Sequence, residues 1–237
     1  MANITLNIEE CNTITPVNYG ALYNWWAATD TRKITSSDDW VVPSIDSVLV
    51  LYNYLYNYAG EEYPIDLNKS LRSTGYDYWL EDEFSISGTN SSGFSAHGSG
   101  WRTGGDFYNI GKIGYWYSSS LSTEETPRPQ IYGVEYDGYT VVIPDNPTNE
   151  DAGCSLRLLY TGAGTPTSYT GNDGKIYPVV LIGSQYWIAC NLNETKYRNG
   201  DWITGFDGGV YTPISNANWA ALTTEGMCYY NDDENNG

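Results

Sequence analysis

In the first seventeen residues Ile4, Leu6 and Ile8 alternate with polar neighbours, a period of two that predicts one edge strand closed by Pro16. The aromatic and apolar run from Tyr19 to Ala28 reads as a strand. Pro43 and Ser44 introduce the clearest helix, Ile45 to Tyr58. Val48, Leu51, Tyr52 and Leu55 repeat there at helical spacing, Ser44 stands at the N-cap, Asp46 complements the helix dipole and Gly60 ends it. From Asp66 to Gly114 the chain is rich in Gly, Ser, Asn and Asp with isolated aromatics, which predicts long irregular loops.

Short strands are predicted next. Tyr115 to Ser119 is one, and Ile131 to Tyr136 and Tyr139 to Ile143 flank the hairpin dipeptide Asp137-Gly138. Cys154 to Tyr160 reads as a further strand. Residues 161–172, rich in Gly, Thr and Ser, read as a linker. In the block that follows, Asp173-Gly174 starts a turn, and Ile176 to Ile182 pairs with Gln185 to Ala189 around Gly183-Ser184. Trp219 to Leu222 predicts a short helix and Met227 to Tyr230 a last strand, ahead of a flexible acidic tail.

Composition narrows the function. The 237 residues carry 29 acidic side chains against 11 basic ones, a net charge of -18. That balance argues against nucleic acid, which needs clustered Lys and Arg, and against an anionic membrane surface. With 23 Tyr and 9 Trp the chain has ample material for a core, and it leaves many Tyr near the surface. The start of the chain shows neither the basic nor the apolar region of a secretory signal, so the expectation is a protein made in a cytoplasm.

Titratable chemistry is sparse. His97 is the one histidine, in a run that reads as a loop, so any Ser-His-Asp or Cys-His system within the chain would have to use it. Cys11, Cys154, Cys190 and Cys228 form no CxxC pair; their spacing neither indicates nor excludes a disulfide, and isolated buried thiols are the default reading.

Several segments together carry a resemblance. DGKIYPVVLIGSQYWIACNLNETKYRNG spans 173–200, and NWAALTTEGMCYYNDDE spans 218–234. YGALYNWW lies at 19–26, WVVPS at 40–44, GTNSSGFSAHGSGWR at 88–102, FYNIGKIGYWYSSS at 107–120 and GCSLRLLY at 153–160. They are similar to the Fibrobacter succinogenes major paralogous domain, a family of the C-type-lectin-like fold, across roughly residues 18–160 and 173–237.

The resemblance implies an α+β, C-type-lectin-like mixed fold with short strands, one or two helices and long loops. It also implies an altered order: the block that opens the family's domain stands last here. Residues 1–17 then form an attachment arm, 18–160 the second part of the module, 161–172 a linker and 173–237 its first part. The chain is either circularly permuted or domain-swapped between neighbours. A flexible linker of about 12 residues spans about 20 Å and permits either. Where the family often has two cysteines, this chain has Ser36 and Leu158, which suits a protein kept out of oxidising compartments. Cys228 stays at a family position, and Cys154 stands where the family usually has Phe.

The reactive cysteine pair of the related formylglycine-generating enzymes is not visible, and neither are the EPN, QPD or WND tripeptides of calcium-dependent sugar binding. The expected function is therefore binding without catalysis and without a cofactor. Glu81-Asp82-Glu83, Asn149-Glu150-Asp151 and Asp232-Asp233-Glu234 offer oxygens for a structural calcium, but their arrangement suits solvated loops better. The ligand-facing candidates are Trp101, Arg102, Tyr108, Trp116, Tyr117, Tyr132, Tyr136 and Tyr139, which fall, with Tyr115, in the segments that build the ligand-facing sheet and loops of such domains. For Trp101 and Trp116 a core role is the competing reading.

The resulting expectation is a phage virion protein, a head or tail decoration or fibre module. Residues 1–17 would contact other virion proteins or sister chains in a homo-oligomer, and the lectin-like face would meet a host glycan or surface protein. A bacterial cell-surface adhesin domain and a purely architectural virion protein are the alternatives.

Overall fold

The structure, a computed structural model, describes residues 19–59, 65–138 and 140–237. The edge strand expected around Ile4 to Ile8, the attachment arm and the helix stop at Gly60 lie outside the described residues.

Tyr19 to Ala28 does not form one strand. Strand β1 (Leu22–Tyr23) stops because Asn24 turns the chain and caps helix α1 (Trp25–Thr29), its side-chain oxygen accepting from Ala27 N at 3.0 Å. Strand β2 (Trp40–Val41) leads into helix α2 (Ile45–Ala59). There Ser44 Oγ accepts from Ser47 N at 3.2 Å, so the expected cap forms. Ile45, Val48, Leu51, Tyr52 and Leu55 face inward, while Val50, Tyr54 and Tyr56 face out.

The stretch expected to be irregular contains helix α3 (Ile65–Leu71) and strands β3 (Ser99–Thr103) and β4 (Asp106–Ile110). Then come β5 (Ile113–Leu121), β6 (Pro129–Glu135) and β7 (Thr140–Pro147). The predicted hairpin is present: Val134 pairs with Thr140, and Gly138 takes a φ of 96° that a larger residue would resist.

Only the end of Cys154 to Tyr160 is a ladder strand, β8 (Leu159–Tyr160). Ahead of it the extended backbone makes single bridges, Cys154 to Tyr23 and Ser155 to Trp116. The linker segment is partly structural. Its β9 (Ser168–Thr170) pairs with β10 (Ile176–Ile182), which pairs in turn with β11 (Gln185–Ile188). Tyr169 is buried between Trp40 and Tyr177. The remaining elements are β12 (Phe206–Asp207), β13 (Val210–Tyr211), helix α4 (Asn216–Ala220) and β14 (Met227–Cys228).

Two five-stranded sheets organise this α+β fold. One has the order β2-β8-β11-β10-β9, the other β4-β3-β5-β6-β7. The first is buried on both sides: Val41, Leu159, Val180 and Trp187 join the core under α2, while Trp40, Tyr169, Tyr177 and Ile188 join a second core. Both sequence blocks contribute to this sheet, and β1 pairs with β14, so the blocks complete one another within a single chain.

The acidic tail is folded as well. It forms 3-10 turns, and Tyr19 N donates to Asn236 O at 3.0 Å. The four helices among the described residues exceed the one or two expected; three of them are seven residues or shorter.

Arg157 joins the cores. It is fully buried, and its guanidinium donates to Asn191 Oδ1 at 2.8 Å, Phe94 O at 2.7 Å, Ile188 O at 3.1 Å and Ser95 O at 2.8 Å. Burial pushes its pKa down to about 9. Cys154 and Cys228 are free buried thiols, as expected, but Cys190 is disulfide-bonded. That bond sets Cys190 apart from the default reading of isolated thiols.

Candidate functional site

Alternation along β3 sends Trp101 to one face of its sheet and Arg102 to the other. Trp101 stands opposite Tyr108 on β4. On its other flank β5 runs parallel to β3, with Gly100 beside Gly114, and this brings Tyr115 against Trp101. The two rings meet edge to face with centroids 5.6 Å apart, a favourable arrangement of aromatic quadrupoles. Tyr115 pairs with Gly133 on β6, and a Cβ at Gly133 would collide with the tyrosine ring. The glycine lets that ring lie flat on the sheet.

The result is an aromatic row across three strands. Tyr108 is 44% exposed, and Trp101 and Tyr115 are half-buried. Glu135, opposite Ile113, lies diagonal to Tyr115 on the same face. Burial, then the nearby Asp137, raises the Glu135 carboxyl above its ordinary value. Burial, then Glu135, pushes Tyr115 up to about 12. The face therefore offers flat apolar ring surface, a Tyr115 hydroxyl held protonated by burial and one carboxyl acceptor, Glu135. Such a set can stack on a sugar ring and accept from its hydroxyls.

The opposite face belongs to the core and buries three of the expected ligand residues, Arg102, Trp116 and Tyr132; a fourth, Tyr117, is buried on the outer face. Arg102 is fully buried between the Phe107 and Trp219 rings, at 4.4 and 4.5 Å. It donates to Gly105 O, Ile214 O and Asn216 Oδ1, and its Nη1 lies 3.5 Å from Asp232. Trp116 is fully buried, donates to Asn191 Oδ1 at 2.8 Å and stacks on the buried Tyr132. Tyr117 lies on the outer face but is covered, and donates to Asn149 O and Ala152 O. These four are scaffold, because interior packing has already taken their surfaces.

Tyr136 is half-buried, with Lys112 Nζ 5.7 Å from its ring centre. Tyr139 lies outside the described residues. His97 is buried and stacks on Tyr78, with centroids 3.6 Å apart and planes 3° from parallel.

The acidic clusters play local roles. Asp82 caps the turn at Phe84, the Asn149 and Asp151 carbonyls accept from Tyr117 and Trp219, and Asp232 accepts from Tyr211. Among the described residues no three His, Cys, Asp or Glu side chains converge as metal ligands. No described helix is long and apolar enough to cross a membrane.

One grouping escaped sequence reasoning. Asp173, Lys196 and Trp202 line a cavity formed by loops of the second block, with Glu194 buried behind Asp173. Their sequence signal was only that of turns and isolated aromatics.

Compared with known protein families, curated proteins and solved structures, the chain matches none.

Proposed function

We propose that this chain is a non-enzymatic recognition module of a phage virion, a decoration or fibre-like component whose aromatic sheet face meets a host-surface glycan. The observation that carries this reading is the Tyr108–Trp101–Tyr115 row, held on a paired sheet with a carboxylate at its edge. Rigid aromatic surface binds at low entropic cost, since few rotors are frozen on contact. A sheet backed by a packed core keeps the rings in place before a ligand arrives.

The test is a glycan array probed with the wild type, Tyr108→Ala and Trp101→Ala. Retention of a defined glycan set, lost by at least about tenfold in both variants, is the expected result. Tyr108→Ala should keep its melting temperature, because that ring is largely solvated. Unchanged retention in both variants overturns the assignment of the face. Silence of the wild type across the array overturns the glycan and leaves the architectural role.

A second reading, a bacterial cell-surface adhesin, is favoured by the Cys190 disulfide, which suits life outside a reducing cytoplasm. Immunogold labelling separates the two: label on particles supports the virion, and label on intact cells supports the adhesin.

A further inference from the structure

The second block contains a cavity of about 280 Å³ that shares no lining residue with the aromatic sheet face. One wall is aromatic. Trp202 and Phe206 lie 18° from parallel with centroids 6.3 Å apart, and Tyr229 meets Phe206 edge-on at 6.0 Å. The other wall carries Asp173, Lys175 and Lys196.

Buried bonds hold the charged wall rigid. The Glu194 side chain is sealed from solvent and accepts from Asn172 N at 2.5 Å, Asp173 N at 3.0 Å, and Thr195 N and Lys196 N at 3.1 Å each. It thereby clamps the loop at 171–173 onto the strand-like run 194–196. Asp173 is consumed internally. Its Oδ1 accepts from Lys175 N, and its Oδ2 accepts from Lys175 Nζ at 2.5 Å, Thr195 N at 3.2 Å and Thr195 Oγ1 at 3.0 Å. Lys175 Nζ also donates to Asn193 O at 2.7 Å.

Lys196 is different. Its ammonium sits 4.2 Å from the Trp202 ring centre and makes no ion pair among the described residues. A chain with 29 acidic residues thus holds a cation over an indole with no carboxylate partner among the described residues, beside an Asp173 whose oxygens are already bonded from within.

We propose that this cavity binds a single carboxylated pyranose, a hexuronic acid unit. The carboxylate would pair with Lys196, and the ring would rest against Trp202 and Phe206. The volume suits one sugar ring, and the saturated Asp173 offers the ligand little repulsion. The net charge of the chain opposes any anion at long range, so recognition depends on short-range contact.

The experiment is a titration of the intact protein with glucuronate, followed by indole fluorescence and by NMR shifts. Glucose serves as the neutral isostere and acetate as the bare carboxylate. Saturable glucuronate binding, at least about tenfold tighter than either control, is expected. Lys196→Gln should bring glucuronate to the level of glucose, with an unchanged melting temperature. Trp202→Ala should abolish the response, and Tyr108→Ala should leave it intact. Equal binding of glucuronate and glucose, equal binding of acetate, or undiminished binding by Lys196→Gln overturns the proposal. The sheet-face reading survives any of these, because its test uses other residues.

Discussion

Tyr23 and Glu194, 171 residues apart, exchange two hydrogen bonds: the Tyr23 hydroxyl donates to Glu194 O at 2.8 Å and accepts from Glu194 N at 2.6 Å. One buried phenol thus satisfies both backbone groups of a residue in the other sequence block. Tyr23→Phe removes the hydroxyl and strands a buried N–H and a buried C=O. Each unsatisfied group costs about 1–3 kcal/mol, so a loss of about 2–4 kcal/mol is expected in urea unfolding. A loss under about 0.5 kcal/mol would show that the blocks do not depend on this bond.

Glu194 also links stability to pH. Burial, then the neighbouring Asp173, pushes its carboxyl up to about 7, against the pull of its N–H donors. Burial opposes ionisation of Asp173 too, but Lys175 and Thr195 outweigh it and hold that carboxyl low. A carboxyl raised on folding stabilises the native state below its unfolded value of about 4.3, and that contribution is lost as pH rises through about 7. Glu135 is shifted in the same direction. Between about pH 5 and 7.5, wild-type stability should therefore fall relative to Glu194→Gln. Parallel stability curves for the two proteins would refute this assignment.

Arg157 holds together segments that are distant in sequence. Lysine lacks the planar fork that reaches four oxygen acceptors at once. Bonds to a charged group contribute about 1.5–3 kcal/mol each, so Arg157→Lys, which loses two or more, should cost about 3 kcal/mol or more. That is a large share of a stability of about 5–15 kcal/mol, and a lowered urea midpoint with partial unfolding is the expected observation. A midpoint equal to wild type would mean the ammonium recovers the contacts.

The two free thiols should be silent in the native protein. Both are fully buried, and burial raises both: Cys154 far above its ordinary value, Cys228 to about 12 even with Arg102 beside it. Since the thiolate is the reactive form, an aromatic disulfide reagent should modify them only after unfolding. Rapid modification of Cys154 or Cys228 in native buffer, located by peptide mapping, would contradict the packing described around β1 and β14.

The sequence alone carried what depends on a few neighbouring residues. Ser44 marked the start of α2, Asp137-Gly138 marked the β6–β7 hairpin, and Gly183-Ser184 marked the β10–β11 pair. Each is a matter of backbone dihedrals and caps within a turn of chain. Where two local signals competed, the reading failed: Asn24 capped a helix inside an aromatic run that looked like one strand.

Tertiary structure decided which aromatic residues are surface and which are core. Trp101 and Trp116 stand in similar strand contexts, yet only Trp116 is sealed, because Asn191 and Tyr132 close over it from other parts of the chain. The uses of Arg102, Arg157 and Glu194 were equally hidden, since their partners lie up to 171 residues away. Lys196 and Trp202 meet across a local bridge, but the cavity beside them also needs the loop at 171–173, which buried bonds to Glu194 hold in place. Periodicity and turn chemistry are local and can be read along the chain, whereas burial, hydrogen-bond saturation and charge pairing are properties of the packed whole.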